Sequence, residues 1–160
     1  MGKKMIKRLI AGMLTAAVAI PTNFMPVQAA KQTAEDYVIY PTPHKMEYQE
    51  GDYILGKEMN VIYDTGIDEA TKDRLEEAAA LKDIKVKESD EPKKGATNVY
   101  VGVHGEDGKA EDYITKEYAP GDALFENTDS YFLASDENVI SVLGKDTDSA
   151  FYGLTTLYHV

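Results

Sequence analysis

The sequence predicts an α+β domain in which helices cover one face of a mixed β-sheet. Short apolar runs typical of strands recur along the chain and are interrupted by helical patterns that begin just after Asp residues. At least one pair of neighbouring strands lies close enough to form a hairpin. The 160 residues are 43% hydrophobic, which is enough for one packed domain. Strands joined by hairpins as well as by helices are typical of the α+β class.

Residues 1–29 predict a secretory signal peptide. A basic cluster precedes an apolar run at residues 9–20, and Val27 and Ala29 occupy the positions that a signal peptidase recognises. The apolar run is shorter than the ~20 residues that a membrane-spanning helix needs. We therefore expect cleavage after Ala29, a flexible segment at residues 30–36, a secreted protein and no membrane contact after cleavage. Association of the full-length protein with the cell wall stays open.

Residues 37–160 are expected to form the folded domain. A strand is predicted at 37–40, a hairpin with arms at 44–48 and 53–55, and a further strand at 59–63. A helix is predicted over 69–81, since Asp68 can cap its first amides and the segment is rich in Ala, Glu, Leu and Lys. Its apolar face would comprise Ile67, Thr71, Leu75, Ala78 and Ala79.

The second half of the domain continues with strands at 84–87 and 97–103, a short helix around 109–115 and a turn at Pro120-Gly121. A hairpin is predicted from 130–135 and 138–143, and its nearly all-apolar second arm predicts a central strand buried on both faces. Asp146 or Asp148 would cap a final helix. We expect its apolar stripe, with Phe151 buried against the sheet, to contain Ala150, Phe151, Leu154, Leu157 and Tyr158.

Charge and composition exclude several classes of function. Of the 17 basic residues four lie in the first thirty, which leaves 13 against 28 acidic residues and a net charge of −15 in the mature chain. Binding to nucleic acid or to an anionic membrane would require clustered Lys and Arg. The absence of cysteine excludes disulfides and thiolate metal sites.

No catalytic, cofactor-binding or metal-binding residue is predicted, and no cofactor is expected. His44, His104 and His159 lack metal-like spacing. The glycines at 102, 105 and 108 follow a strand but do not form a G-x-G-x-x-G phosphate motif, so turn formation explains them better. The segment 146–148 begins like a calcium loop without its glycine, and helix capping is the preferred interpretation. Most of the eleven tyrosines are expected to pack in or near the core.

Three segments resemble the N-terminal domain of bacterial β-N-acetylhexosaminidases: 40–46 (YPTPHKM), the predicted hairpin at 131–144, and 148–157 (DSAFYGLTTL). The last is the most specific, and the likeness extends over residues 38–160. The details are most similar to glycoside hydrolase family 84, the clostridial hyaluronidase or O-GlcNAcase type, with family 20 as a close relative.

The resemblance implies an α+β domain that precedes a (β/α)8 barrel, so we expect the chain to be truncated before that barrel. In the family, the barrel removes terminal N-acetylglucosamine with help from the substrate's own acetamido group. No catalytic residue carries over, because the barrel is absent. The predicted partners are the chain's own C-terminal barrel and the glycan substrate of the parent enzyme. An independent carbohydrate-binding or adhesion module is the alternative, and a protein-interaction module is a third possibility.

Overall fold

The structure is a computed structural model that describes residues 39, 43–47 and 55–159, without the side chain of residue 159. The expected signal peptide (1–29) and flexible segment (30–36) lie outside these residues, as does most of the strand at 37–40, and they remain predictions. Of the first hairpin, residues 44–47 and 55 are described and do not form a strand, and the rest of its arms lies outside the described residues.

The described chain forms a five-stranded sheet with three α-helices. Its elements are β1 (Glu58–Tyr63), α1 (Glu69–Ala80), β2 (Lys85–Glu88), β3 (Thr97–Val103), α2 (Lys109–Tyr118), a 3₁₀ helix (Asp122–Glu126), β4 (Tyr131–Asp136), β5 (Val139–Gly144) and α3 (Thr147–His159). The strand order is β2-β1-β3-β5-β4. All neighbours are parallel except β4 and β5, which pair antiparallel. The sheet is therefore mixed, and the predicted α+β class is confirmed.

Short-range signals set the starts of α1 and α3. The Asp68 carboxylate accepts a hydrogen bond from the Thr71 N–H at 2.9 Å. The Asp146 carboxylate accepts one from the Ser149 N–H at 2.8 Å and another from the Ser149 hydroxyl at 2.6 Å. Each carboxylate thus accepts a hydrogen bond from an amide that has no partner inside the helix. Of the two residues considered for α3, Asp146 is the cap.

Two hydrophobic clusters lie on opposite faces of the sheet, because successive strand residues point in opposite directions. Val99, Val101 and Val103 belong to the cluster that contains Leu75 of α1 and Leu154 of α3. The second cluster joins the intervening Tyr100 to Ala110 and Ile114 of α2. The helices therefore cover both faces of the sheet, and not one face as expected from the sequence. α1 and α3 lie on one face, and α2 lies on the other.

The C-terminal helix packs on the sheet with a different stripe from the one expected. Ala150 and Leu154 are fully buried, whereas Phe151 is only half-buried and Tyr158 is exposed. The prediction that Phe151 is buried against the sheet is thus wrong. Its ring lies on the side of α3 that faces α1, where the Arg74 guanidinium lies over it at 5.6 Å.

The β4–β5 hairpin follows the prediction closely. Its two strands are joined through Glu137, which adopts a positive φ of 46°. β5 lies between β3 and β4, and residues 140–144 are buried, as expected for a central strand. In the part of the chain that the structure describes, no helix has the length and apolarity needed to cross a bilayer.

Candidate functional site

The carboxyl ends of three parallel strands meet at one edge of the sheet. Asp64 follows β1, His104 follows β3, and the α3 cap Asp146 lies just after β5. In open sheets with parallel strands, ligands bind in crevices at this edge. It is therefore the first place to look for a functional site.

Asp64 is buried, with 4% of its surface exposed, and it caps α2 from a distance. Its two carboxylate oxygens accept hydrogen bonds from the N–H groups of Ala110 (2.8 Å) and Glu111 (3.0 Å). The residue at the N-cap position, Gly108, has no side chain that can do this. A Cβ atom on Gly108 would overlap the Asp64 carboxylate, so glycine makes the close approach possible. Asp64 therefore takes over the role of a local cap.

Burial raises the pKa of the Asp64 carboxyl above its usual range. The two backbone hydrogen bonds act in the opposite direction, and the neighbouring Glu111 and Glu106 carboxylates add to the rise. An aspartate with a raised pKa is a feature of many active sites. Here, however, both oxygens already bind amides of the chain itself.

The loop between β3 and α2 forms an anion cradle that contains its own anion. The Glu111 carboxylate accepts hydrogen bonds from the N–H groups of Gly105 (2.5 Å), Glu106 (2.9 Å) and Asp107 (2.8 Å). Successive amides arranged in this way commonly hold phosphate or carboxylate groups. The interpretation of the glycines as turn formers holds for Gly105, whose φ is +85°.

His104 completes this edge of the sheet. Its Nδ1 lies 3.3 Å from a Glu111 oxygen, and its ring stacks on Phe125 at a centroid distance of 4.2 Å. His44 is exposed in a separate described segment. Among the described residues no group of three or more His, Cys, Asp or Glu side chains is arranged to hold a metal ion. The absence of catalytic residues stays a prediction.

Sequence patterns did not indicate the pairing of Asp64 with α2, because the two are 46 positions apart. The Glu111 cradle was missed as well. A local signal for the cradle did exist: a glycine that can adopt positive φ, followed six residues later by a glutamate in the first turn of a helix.

A second surface feature lies between α1 and α3. The Arg74 guanidinium lies over the rings of Phe151 (5.6 Å) and Tyr158 (4.7 Å), and its Nε donates to the Thr155 hydroxyl at 3.1 Å. Tyr158 keeps 37% of its surface exposed, and the neighbouring Tyr152 keeps 40%. We call Arg74, Phe151, Tyr152 and Tyr158 the Arg74 seam. Arginine and large aromatic side chains are enriched at the centres of protein interfaces.

The mixed five-stranded sheet with its three helices defines an α+β domain. Residues 36–160 match the model of the family described as glycosyl hydrolase family 20, domain 2, and the chain belongs to that family. No curated protein sequence gives a significant match.

Solved structures agree with this assignment. The structure described as CpGH84D is 42% identical, has a TM-score of 0.75, and is matched over 78% of this chain and 21% of its own. A second, CpGH84B, is 24% identical with a TM-score of 0.61 and shows the same fold; the match covers 78% of this chain and 20% of that one. The chain therefore spans about a fifth of the length of these structures, and the predicted resemblance to the N-terminal domain of family 84 and family 20 enzymes is confirmed.

Proposed function

We propose that this chain is the non-catalytic N-terminal domain of a secreted glycoside hydrolase that acts on glycans containing N-acetylglucosamine. The non-catalytic role rests on the hydrogen bonds of two buried carboxylates at the carboxyl ends of the parallel strands. Asp64 and Glu111 together accept five backbone hydrogen bonds from the chain. A glycosidase instead needs two carboxyl groups that face a shared substrate cavity.

The proposed partner of the domain is the catalytic barrel of the same protein. The matched structures are about five times longer than the region they share with this chain, which leaves room for such a barrel. The Arg74 seam is the surface that we assign to this contact. Its aromatic rings lie on α3, the last described helix, and its arginine lies on the adjacent α1.

Secretion is the second part of the proposal. It rests on the basic, apolar and small-residue regions of residues 1–29. N-terminal sequencing of protein recovered from the medium tests it, and the expected first residue is Ala30. An intact Met1 on a membrane-held protein would contradict export with cleavage.

The domain contact is tested in the full-length protein encoded by the complete reading frame. Tyr152→Asp replaces a neutral side chain by a charge on the exposed rim of the seam, and Thr115→Asp makes the same change at an exposed position of α2, on the other face of the sheet. We expect Tyr152→Asp to lower the thermal stability of the enzyme and its hydrolysis of a chromogenic N-acetylglucosaminide. The Thr115→Asp control should leave both unchanged.

Hydrogen exchange gives an independent measure of the same contact. If the barrel covers the seam, the outer amides of α1 and α3 exchange more slowly in the full-length protein than in the 160-residue chain. Equal exchange in both proteins, together with a harmless Tyr152→Asp, would show that the seam does not contact the barrel. A reading frame without any barrel sequence would overturn the proposed function as a whole.

A further inference from the structure

A cleft of about 320 Å³ lies on the α2 face of the sheet, between α2 and the loop that follows β2. Ile62 of β1 and Tyr100 of β3 form its floor. Its walls are residues 90–92 on one side and Lys109, Asp112 and Tyr113 of α2 on the other. A volume of this size is at the lower end of the ~300–1,000 Å³ that small-molecule sites occupy. The cleft can therefore hold one sugar unit and not a long chain.

Two tyrosines give the cleft an aromatic lining. The rings of Tyr100 and Tyr113 stack with their centroids 3.9 Å apart and an interplanar angle of 6°. Neither hydroxyl forms a hydrogen bond with another described residue. Neither hydroxyl oxygen is completely buried. Burial raises the pKa of Tyr113 to about 12, so its hydroxyl is protonated and can donate a hydrogen bond at neutral pH.

The polar groups of the cleft fall into two kinds. Lys109 ties the loop to the helix, because its Nζ donates to the Asp90 carbonyl at 2.8 Å and to the Glu91 carboxylate at 3.2 Å. The carboxylates of Asp90 and Asp112 have no ion pair or hydrogen bond to another described residue. Asp112 also lies in the first turn of α2, where a negative charge is favourable without any ligand. The Asp112 carboxylate therefore supports a ligand site only together with the tyrosine pair.

The chemistry of the lining selects one class of ligand. Three carboxylates against one lysine disfavour phosphate, sulfate and uronic acid groups. Carboxylate and phenol oxygens can bind the hydroxyl groups of a sugar, and an aromatic ring can pack against the apolar face of a sugar ring. We propose that this cleft binds a single neutral sugar unit of a glycan, with Asp112 and Tyr113 contacting its hydroxyl groups. The source of that glycan rests on the proposed function, but the binding chemistry does not.

The test uses the full 160-residue chain and heteronuclear NMR titrations with N-acetylglucosamine, glucose and glucosamine as probes. We expect saturable shifts confined to residues 90–92 and 109–113 with one or both of the neutral sugars. Tyr113→Phe keeps the ring and removes only the hydroxyl, and Asp112→Ala removes the carboxylate. Each should weaken binding about fivefold or more, since a hydrogen bond to a neutral or charged group is lost. Glu117→Gln, on the same helix outside the cleft, is the matched control and should bind like the wild type.

Several outcomes would overturn the proposal. They are the absence of saturable shifts with either neutral sugar, shifts that lie elsewhere, or binding that both cleft variants leave unchanged. Tighter binding of glucosamine that is lost at high salt would indicate a simple cation site and would also refute it. The amide spectra of the variants show whether they are folded. No barrel is needed for this measurement, so its failure leaves the proposed accessory role untouched, and a reading frame without a barrel would leave the cleft's binding intact.

Discussion

Replacement of Leu154 by alanine tests how the C-terminal helix is attached to the sheet. The Leu154 side chain is fully buried in the cluster that joins α1 and α3 to the strands. The substitution removes three carbon atoms, which at about 0.8 kcal/mol each corresponds to about 2.4 kcal/mol of lost transfer free energy. The cavity that remains adds to this loss, so we expect the free energy of unfolding to fall by about 3–4 kcal/mol.

Phe151→Ala is the comparison that makes the Leu154 experiment decisive. The Phe151 ring is larger but only half-buried, and the structure places it against Arg74 of α1. Its removal gives up partial burial and a cation–π contact worth ~0.5–1 kcal/mol at an exposed site. We therefore expect Phe151→Ala to cost less than half as much as Leu154→Ala in the isolated chain.

Urea unfolding followed by circular dichroism measures both variants. For a domain of this size, a loss of about 3–4 kcal/mol corresponds to a decrease of about 10–15 °C in the melting temperature, which thermal unfolding can check. If Phe151→Ala destabilises the chain more than Leu154→Ala, α3 does not face the sheet through Leu154 as the structure places it. The prediction that Phe151 is buried against the sheet would then be the better description.

Three further predictions concern the loops and caps. Gly144→Ala should lower the free energy of unfolding, measured in urea, by about 1–3 kcal/mol, because its Cβ would overlap backbone atoms at the start of α3. Gly121→Ala has open space around its Cβ and should change this free energy by no more than about 0.5 kcal/mol. Equal effects would contradict the close approach at Gly144. Glu111→Gln should lower the free energy of unfolding by about 1–3 kcal/mol, because one amide oxygen cannot accept hydrogen bonds from all three loop N–H groups. Unchanged stability would show that the cradle does not contribute to the stability of the domain. The Ser149 hydroxyl and N–H lower the pKa of Asp146, so its contribution to stability is present above the ordinary Asp value of 3.8 and is lost as the pH falls through the lowered value. Asp146→Asn should therefore lose less stability than the wild type as the pH falls below the ordinary Asp value and through the lowered pKa, and identical pH profiles would refute this role of the cap.

Features encoded by neighbouring residues were predictable from the sequence. The Asp68 cap acts on an amide three positions away, so the start of α1 follows from its local sequence. The apolar run of β5 predicted its central position, since an exposed edge strand would leave one face of that run in water. The β4–β5 hairpin likewise depends on a single short connection.

Features that depend on distant parts of the chain were not predictable in this way. Periodicity placed Phe151 on the apolar stripe of α3, but the direction in which α3 faces the sheet also depends on α1, which packs beside it. The position of α2 on the opposite face follows from the alternation of β3, whose Tyr100 side needs a cover as much as its valine side does. Asp64 caps α2 from 46 positions away in the sequence, and no local pattern predicts such a contact.

The central claim is that this domain supports a glycosidase without contributing catalytic carboxylates. The most direct measurement is the release of a chromogenic aglycone from N-acetylglucosaminides by the purified 160-residue chain, compared with a heat-killed control. We expect no release above the control, because Asp64 and Glu111 are occupied by the chain's own amides. Turnover that is abolished by a single Asp or Glu substitution within this chain would contradict the claim.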